Sequence, residues 1–318
     1  MESGKGRFVL AGAAFFVGLA ASFLLTRLPA APAWNTGRRP AESSLAASQP
    51  VPEREYRYRR IVCMSPAVAE IVFALGAADR VVGVSQHTRY PPEALKKPTC
   101  GGFFNPNYEM LLSLQPDLII TQGKAEALSH FANGNHIDIL SLDLRDLESI
   151  FEQTAWAGRA LQLEAEAELV CAEMRYRLAQ VHPQISRKPI VPVVLVAGRE
   201  PGTLNGITVV GPGTFLNDLI QVAGGRNVFS DLHTSYAVVN KEALLERAPQ
   251  VVVELQGEGG DARAEQEETR EVWKGFPSLP AVQQGRVYVV EASYALIPGP
   301  RVVLLARRLA EIFHEGDG

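Results

Sequence analysis

The chain has 318 residues, 47% of them hydrophobic and 21% charged, with a formal net charge of −4. That length suits two compact domains or one large one, and the composition is that of an ordinary globular protein. An acidic balance with no lysine–arginine stripe between aromatics argues against a nucleic-acid binder, which needs a basic face.

Lys5 and Arg7 precede an apolar run from Phe8 to Leu25, and Arg27 follows. A positive start before an apolar stretch reads as an export signal. The run also approaches the ~17–25 residues that span a bilayer, so it reads equally as a retained anchor. Ala31-Pro-Ala33 has the small-x-small form of a cleavage site, with a proline in its middle. Positive charge stays in the cytoplasm, which puts the rest of the chain outside it. Residues 1–27 are therefore assigned as signal or membrane anchor. Residues 28–58, rich in Pro, Ala, Ser and Arg, are assigned as a flexible linker.

A first α/β lobe is expected over residues 59–160. Arg60-Ile-Val-Cys-Met is a short strand; Ser65 and Pro66 start a helix as N-cap and first helical residue, and Gly76 stops it. Val81–Val84 is the next strand, followed by the polar loop 85–92. Helix near Glu126–Gly134 and strand from Ile137 complete the lobe. From Leu147 to about His182 strand signals vanish. Leu163–Val181 is rich in strong helix formers, with Leu169, Val170, Met174, Leu178 and Val181 as an apolar stripe. Residues 161–186 read as a rigid helical connector, with an ordinary surface helix as the alternative.

The second lobe, 187–318, opens with the strand Ile190–Val196, where Pro192 suggests a sheet edge. Gly211-Pro-Gly-Thr214 leads into a helix from Phe215 to Ala223; it resembles a phosphate cradle but lacks the lysine and spacing of one, which favours a plain capped helix. Glu254–Glu271 reads as an acidic stretch forming a solvated loop and helix face, Gly285–Val290 as the last strand, and Pro300-Arg301 as the start of the closing helix. Alternating strands and helices give an α/β class with mostly parallel sheets.

One phrase occurs twice. Glu109-Met-Leu-Leu-Ser-Leu-Gln-Pro116 precedes Asp-Leu-Ile-Ile, and Glu242-Ala-Leu-Leu-Glu-Arg-Ala-Pro249 precedes Gln-Val-Val-Val. Each is a short helical turn ended by proline and followed by a strand apolar on both faces. The repeat suggests two similarly built lobes, each showing a glutamate at the same place, with a cleft between them where small ligands bind.

No catalytic constellation stands out: no nucleophile elbow, HExxH, CxxC, Cys/His cluster or GxGxxG with a following acid. Cys63, Cys100 and Cys171 are an odd set with no lipid-modifiable cysteine after the apolar run; Cys63 and Cys171 read as buried thiols, with one disulfide left open. Aromatic and polar residues gather in the loops between elements: His87, Arg89, Tyr90, Phe103, Phe104, Tyr108, His233, Tyr236 and Tyr294. Carboxyl-end loops are where α/β folds place ligands, and aromatics there offer a flat platform for a large ring. Phe104 and Tyr108 are expected instead to anchor their loop on the core.

These segments, in this order, resemble the class III periplasmic substrate-binding proteins of ABC importers, which carry vitamin B12, haem or iron–siderophore complexes. The resemblance runs over residues 59 to 314. It rests on Arg60–Glu70, Ala74–Val84, Tyr90-Pro-Pro-Glu-Ala94, Gly101-Gly, Asn107-Tyr-Glu109, Pro116-Asp-Leu-Ile-Ile, Gly224-Gly-Arg-Asn-Val-Phe229 and Pro300-Arg301. It implies two α/β lobes joined by a long bridging helix. It also implies an extracytoplasmic binding protein with no catalytic role and no cofactor of its own, served by a permease dimer with its ATPase. Glu109 and Glu242 stand where such proteins dock onto arginines of the two membrane subunits. Within the family the likeness is to the B12 carriers: Tyr90 matches a tyrosine that meets the corrin, and Phe103, Tyr236 and Tyr294 fall where tryptophans are common. The departures are smaller aromatics, His87-Thr-Arg89 before the tyrosine, and Ile297 where a basic residue can stand. Haem and ferric-siderophore carriers share this framework, and His87 or His233 would serve such a metal complex. An enzyme on a similar two-lobed fold, of chelatase or reductase type, is the alternative of another class.

Overall fold

The computed structural model describes residues 55–257 and 262–315. The apolar run Phe8–Leu25, Ala31-Pro-Ala33 and nearly all of the expected linker lie outside the described residues. Among those described, no helix is long and apolar enough to cross a membrane.

Two separate sheets carry the fold. The first contains β1 (Ile61–Cys63), β2 (Val81–Val84), β3 (Leu118–Gln122) and β4 (Asp138–Leu142), all parallel, in the order β2-β1-β3-β4. The helices α1 (Pro66–Ala74), α2 (Tyr108–Leu114) and α3 (Glu126–Gly134) connect them. Ser65 caps α1 by accepting the Val68 N–H at 3.2 Å, and Gly76 leaves it at φ +82°, as the serine-proline start and glycine stop require. The chain then crosses once, through α4 (Leu147–Leu161), α5 (Glu164–Ala179) and α6 (His182–Ile185).

The second sheet contains β5 (Val191–Gly198), β6 (Ile207–Val210), β8 (Tyr236–Val239), β9 (Val251–Gln256) and β10 (Val287–Glu291), in the order β10-β9-β5-β6-β8, with β7 (Gly225–Asn227) also paired to β5. Its antiparallel pairs are β5 with β6 and β6 with β8. The helices are α7 (Phe215–Val222), α8 (Lys241–Arg247), α9 (Ala262–Lys274), α10 (Pro280–Gln283) and α11 (Val302–Phe313). The α/β class with two mostly parallel sheets is as expected.

The repeated phrase is structural as well as verbal. Asn107 caps α2 by accepting the Met110 N–H at 3.0 Å, and Asn240 caps α8 by accepting the Ala243 N–H at 2.9 Å. Both helices end on a residue at φ 45°, Gln115 and Ala248. Each is followed by an inner parallel strand whose first four residues are buried, β3 and β9.

The expected connector falls on α5, with α4 before it and the short α6 after it. Gln162, in the left-handed region at φ 59°, turns the chain between α4 and α5, and α5 packs against α4 and α11. At 16 residues α5 is about 24 Å long, shorter than the span read from Leu163 to Val181. A Cβ on Gly158 would stand 2.4 Å from the Ala167 Cβ, so glycine there allows the close approach of the two helices. Val170, Met174, Leu178 and Val181 are buried as the stripe predicts, but Leu169 is exposed, because it lies a third of a turn off the buried line. One hydrophobic core runs from β1 and α1 through α4 and α5 to β5, α7, β9 and α11. Two backbone-level links join the same regions: Phe215 N–H donates to the Arg145 carbonyl at 2.7 Å, and Leu147 N–H donates to Asp218 Oδ2 at 3.0 Å.

Two other expectations change. Pro192 sits in an internal strand; β9 pairing begins at Val193, so no ladder bond needs its missing N–H, and its carbonyl accepts from Gln250. Glu254 is not solvated but buried in β9, where Arg199 Nε donates to it at 2.9 Å and Trp273 Nε1 at 3.0 Å. The rest of that acidic stretch falls in α9, apart from residues 258–261, which lie outside the described residues. All three cysteines are free and buried.

Candidate functional site

The site residues stand on loops at and around the carboxyl ends of the strands. The loop after β2 carries His87 and Tyr90, and Thr99 pairs with Val84 to lead into the loop carrying Phe103. A Cβ on Gly102 would lie 3.2 Å from His87 Nε2, so these two loops are in contact. His87 itself is exposed, with Nε2 3.1 Å from Gln86 Nε2. Phe103 packs edge-on against Phe104 with ring centroids 5.1 Å apart.

The expectation that Phe104 anchors its loop on the core fails: it is 95% exposed. Gly101 bridges to Pro106 across a tight loop that leaves the intervening rings outside the core. Tyr108 belongs to α2 rather than to the loop, and it packs on Phe131 with centroids 4.7 Å apart.

The loop after β10 brings in Tyr294 and, at the start of α11, Arg301. The Arg301 guanidinium carbon lies 4.0 Å from the Tyr90 ring centroid and 5.7 Å from that of Tyr294. Two of the anticipated ligand aromatics, one from each half of the chain, therefore converge on one cation, the geometry of a cation–π contact. Arg301 Nη1 donates to Ser293 Oγ at 2.8 Å, and Nη2 donates to Glu70 Oε1 at 2.6 Å. Glu70 is a buried residue of α1; burial pushes its carboxyl above the ordinary range, against the pull of Arg301. Glu70 Oε2 and Arg301 Nε are buried without a hydrogen-bond partner. A Cβ on Gly299 would stand 2.9 Å from Glu70 Oε2, so the approach to Arg301 passes this carboxylate only as glycine.

Tyr236 is not drawn into this group. It opens β8, paired with Val210, at the sheet edge opposite the one that leads to Tyr294. The Gly211 N–H donates to the Ser235 carbonyl at 2.8 Å, which holds its loop. His233, on the same loop, is exposed. The Gly211–Thr214 turn is the capped helix start that its composition favours: Thr214 Oγ1 accepts the Asn217 N–H at 3.1 Å. No cluster of three His, Cys, Asp or Glu side chains suited to a metal ion occurs among the described residues.

Glu109 and Glu242 are both exposed in the first turn of their helices, α2 and α8. Glu70 and Arg301 lie within segments that the sequence singles out, yet nothing local in either gives it a role. Their relation spans 231 positions and exists only in the fold.

A family model described as periplasmic binding protein matches residues 61–294. The vitamin B12-binding protein of Salmonella typhimurium is 26% identical over 260 residues, covering 80% of this chain and 90% of that one. Among solved structures, the periplasmic vitamin B12 binding protein BtuF of Vibrio cholerae superposes with a TM-score of 0.67 at 23% identity, covering 80% of this chain and 96% of that one. A periplasmic heme binding protein from Pseudomonas aeruginosa superposes with a TM-score of 0.68 at 26% identity, covering 81% and 94%.

Proposed function

The chain belongs to the periplasmic binding protein family, and from that premise we propose that it captures a corrinoid between its two lobes and hands it to the permease of an ABC importer. Membership makes it a solute-binding transport protein of an extracytoplasmic compartment, not an enzyme. We take residues 59–160 and 187–318 as the lobes and 161–186 as their connector. Residues 1–27 carry the chain out of the cytoplasm, and are then either cleaved off or kept as an anchor with 28–58 as the linker.

The observation that carries the corrinoid reading is the pair of tyrosines from opposite halves of the chain that both approach Arg301. Flat faces from both lobes suit a macrocycle, and Phe103 beside Phe104 extends the apolar area from the first lobe. Tyr236 closes on the ligand from the other sheet edge. Glu109 and Glu242, one exposed carboxylate per lobe, dock on cations of the two permease subunits. A haem or ferric-siderophore ligand is the second reading, and exposed His87 beside the Phe103 loop supports it.

Absorption titration of the purified protein with cyanocobalamin, haemin and a ferric hydroxamate decides between them. Saturable spectral change with cyanocobalamin alone is the expected result. Saturation with haemin, and none with the corrinoid, would move the assignment to the second reading.

A further inference from the structure

The repeated helix carries more than a carboxylate. Aligned on their glutamates, residues 108–116 and 241–249 have the same burial at every position. Leu111 and Leu244 are wholly buried under their helices, whereas Leu112 and Leu245, the next residues, are 49% and 43% exposed. Residues three apart share a helix face, so Glu109 with Leu112 and Glu242 with Leu245 each form one outward patch of acid and leucine. The matching asparagine caps and left-handed ends give the two patches the same local geometry.

Isolated exposed leucines are common and call for no explanation. A matched pair is different, because the other outward positions of these helices are not kept alike. Ser113 answers to Glu246 and Tyr108 to Lys241, while glutamate and leucine alone among the exposed helical positions recur. A surface repeated on the two lobes fits a partner that is itself made of two like subunits.

We propose that Leu112 and Leu245 are the apolar half of a two-point docking face, each seating in an apolar socket beside the cation that receives its glutamate on one subunit of a membrane permease dimer. This rests on the reading of Glu109 and Glu242 as docking carboxylates. The division of labour is physical: the carboxylates set register and speed encounter, and the leucines lose water on contact and slow release. Both helices begin at the carboxyl edge of their sheets, so the face borders the ligand loops without using them.

The test places the photoreactive residue p-benzoylphenylalanine at position 112, 245, 109 or 242 of the full chain in its native cell. Light-dependent adducts from 112 and 245 with one and the same polytopic membrane protein, which co-purifies with an ATPase, are the expected result. Leu112→Ser with Leu245→Ser should lower the adduct yield from position 109 about tenfold, with unchanged thermal unfolding because both leucines are exposed. Adducts from 109 and 242 but none from 112 and 245 would overturn the leucine proposal and leave the docking reading standing. No membrane-protein adduct from any of the four would remove both.

Discussion

Arg301 Nη2 donates to Glu70 Oε1 at 2.6 Å, joining the start of the last helix to the first helix of the fold. The pair is almost wholly removed from solvent. It therefore stabilises by geometry more than by charge, since desolvating both ions offsets much of their attraction. Its place matters more than its strength. With the Phe215–Arg145 and Asp218–Leu147 links it joins the two sheets at separate points. A continuous core lies behind them. If a ligand enters between the lobes as proposed, these links should keep the opening small.

Removing Arg301 strands the Glu70 carboxylate in the interior. Arg301→Met should cost about 3–5 kcal/mol at pH 7. The loss should shrink toward pH 5. Burial already raises the folded-state pKa of Glu70 above its ordinary 4.5, and loss of the cation raises it further. Between the unfolded and folded values the native state holds the extra proton, so stability falls as pH rises through that window and is recovered below it. Urea unfolding of parent and variant at pH 5 and pH 7 measures this. An equal loss at both values would show that the stranded charge is not the source of the destabilisation.

The Tyr236 loop depends on a glycine. A Cβ at position 211 would stand 2.2 Å from the Thr234 carbonyl oxygen, a backbone atom that yields only if the loop moves. Gly211→Ala should shift the segment that leads into Tyr236 and weaken cyanocobalamin binding about tenfold, with Tyr236→Ala producing a loss of similar size. Calorimetry on both variants checks it. Affinity unchanged in both would remove Tyr236 from the site.

What the sequence made legible were elements with marked ends. Ser65-Pro66 and Thr214 start helices where capping chemistry requires, and α3 runs from Glu126 to Gly134 as read, whereas the Asn107 and Asn240 caps showed only in the fold. The buried runs after the repeat prolines, β3 and β9, are strands because they are apolar on both faces. β6 and β8 escaped notice: Ile207–Val210 and Tyr236–Val239 are four residues each, antiparallel, and neither follows a helix-proline phrase. β7, Gly225-Arg-Asn, is a strand only through its pairing with β5. The approach of Tyr90 and Tyr294 to one another could not be read from their loops. Nor could the place of Arg301 between them, because it meets Glu70 and Tyr90 through the fold and not through spacing.

A second buried pair holds α9 to the second sheet. Arg199 forks between Glu254 Oε2 at 2.9 Å, Thr269 Oγ1 at 3.2 Å and the carbonyls of Glu200 and Thr203. Trp273 donates to the same carboxylate oxygen. Arg199→Met should destabilise by about 3–5 kcal/mol, and Arg199→Lys should recover only part, because an ammonium cannot span the same fork. Trp273 is fully buried in the parent, so its emission should shift to the red in the methionine variant well before global unfolding. Parent-like emission and stability would mean that α9 is held by its apolar contacts alone.

The cysteines give the last prediction. Cys63 and Cys100 are fully buried and Cys171 nearly so. Burial pushes the Cys100 thiol up to about 11, Cys63 higher still, and Cys171 above its ordinary value. The thiolate is the reactive form, so at pH 8 a thiol near 11 holds only about one part in a thousand of it, behind a barrier of packed side chains. Native protein mixed with Ellman's reagent at pH 8 should stay colourless for minutes, and the same protein in urea without reductant should titrate all 3 thiols. A count of one in urea would reveal a disulfide formed on export. That would require Cys63, in β1, or Cys171, in α5, to leave the core position that each holds in this fold.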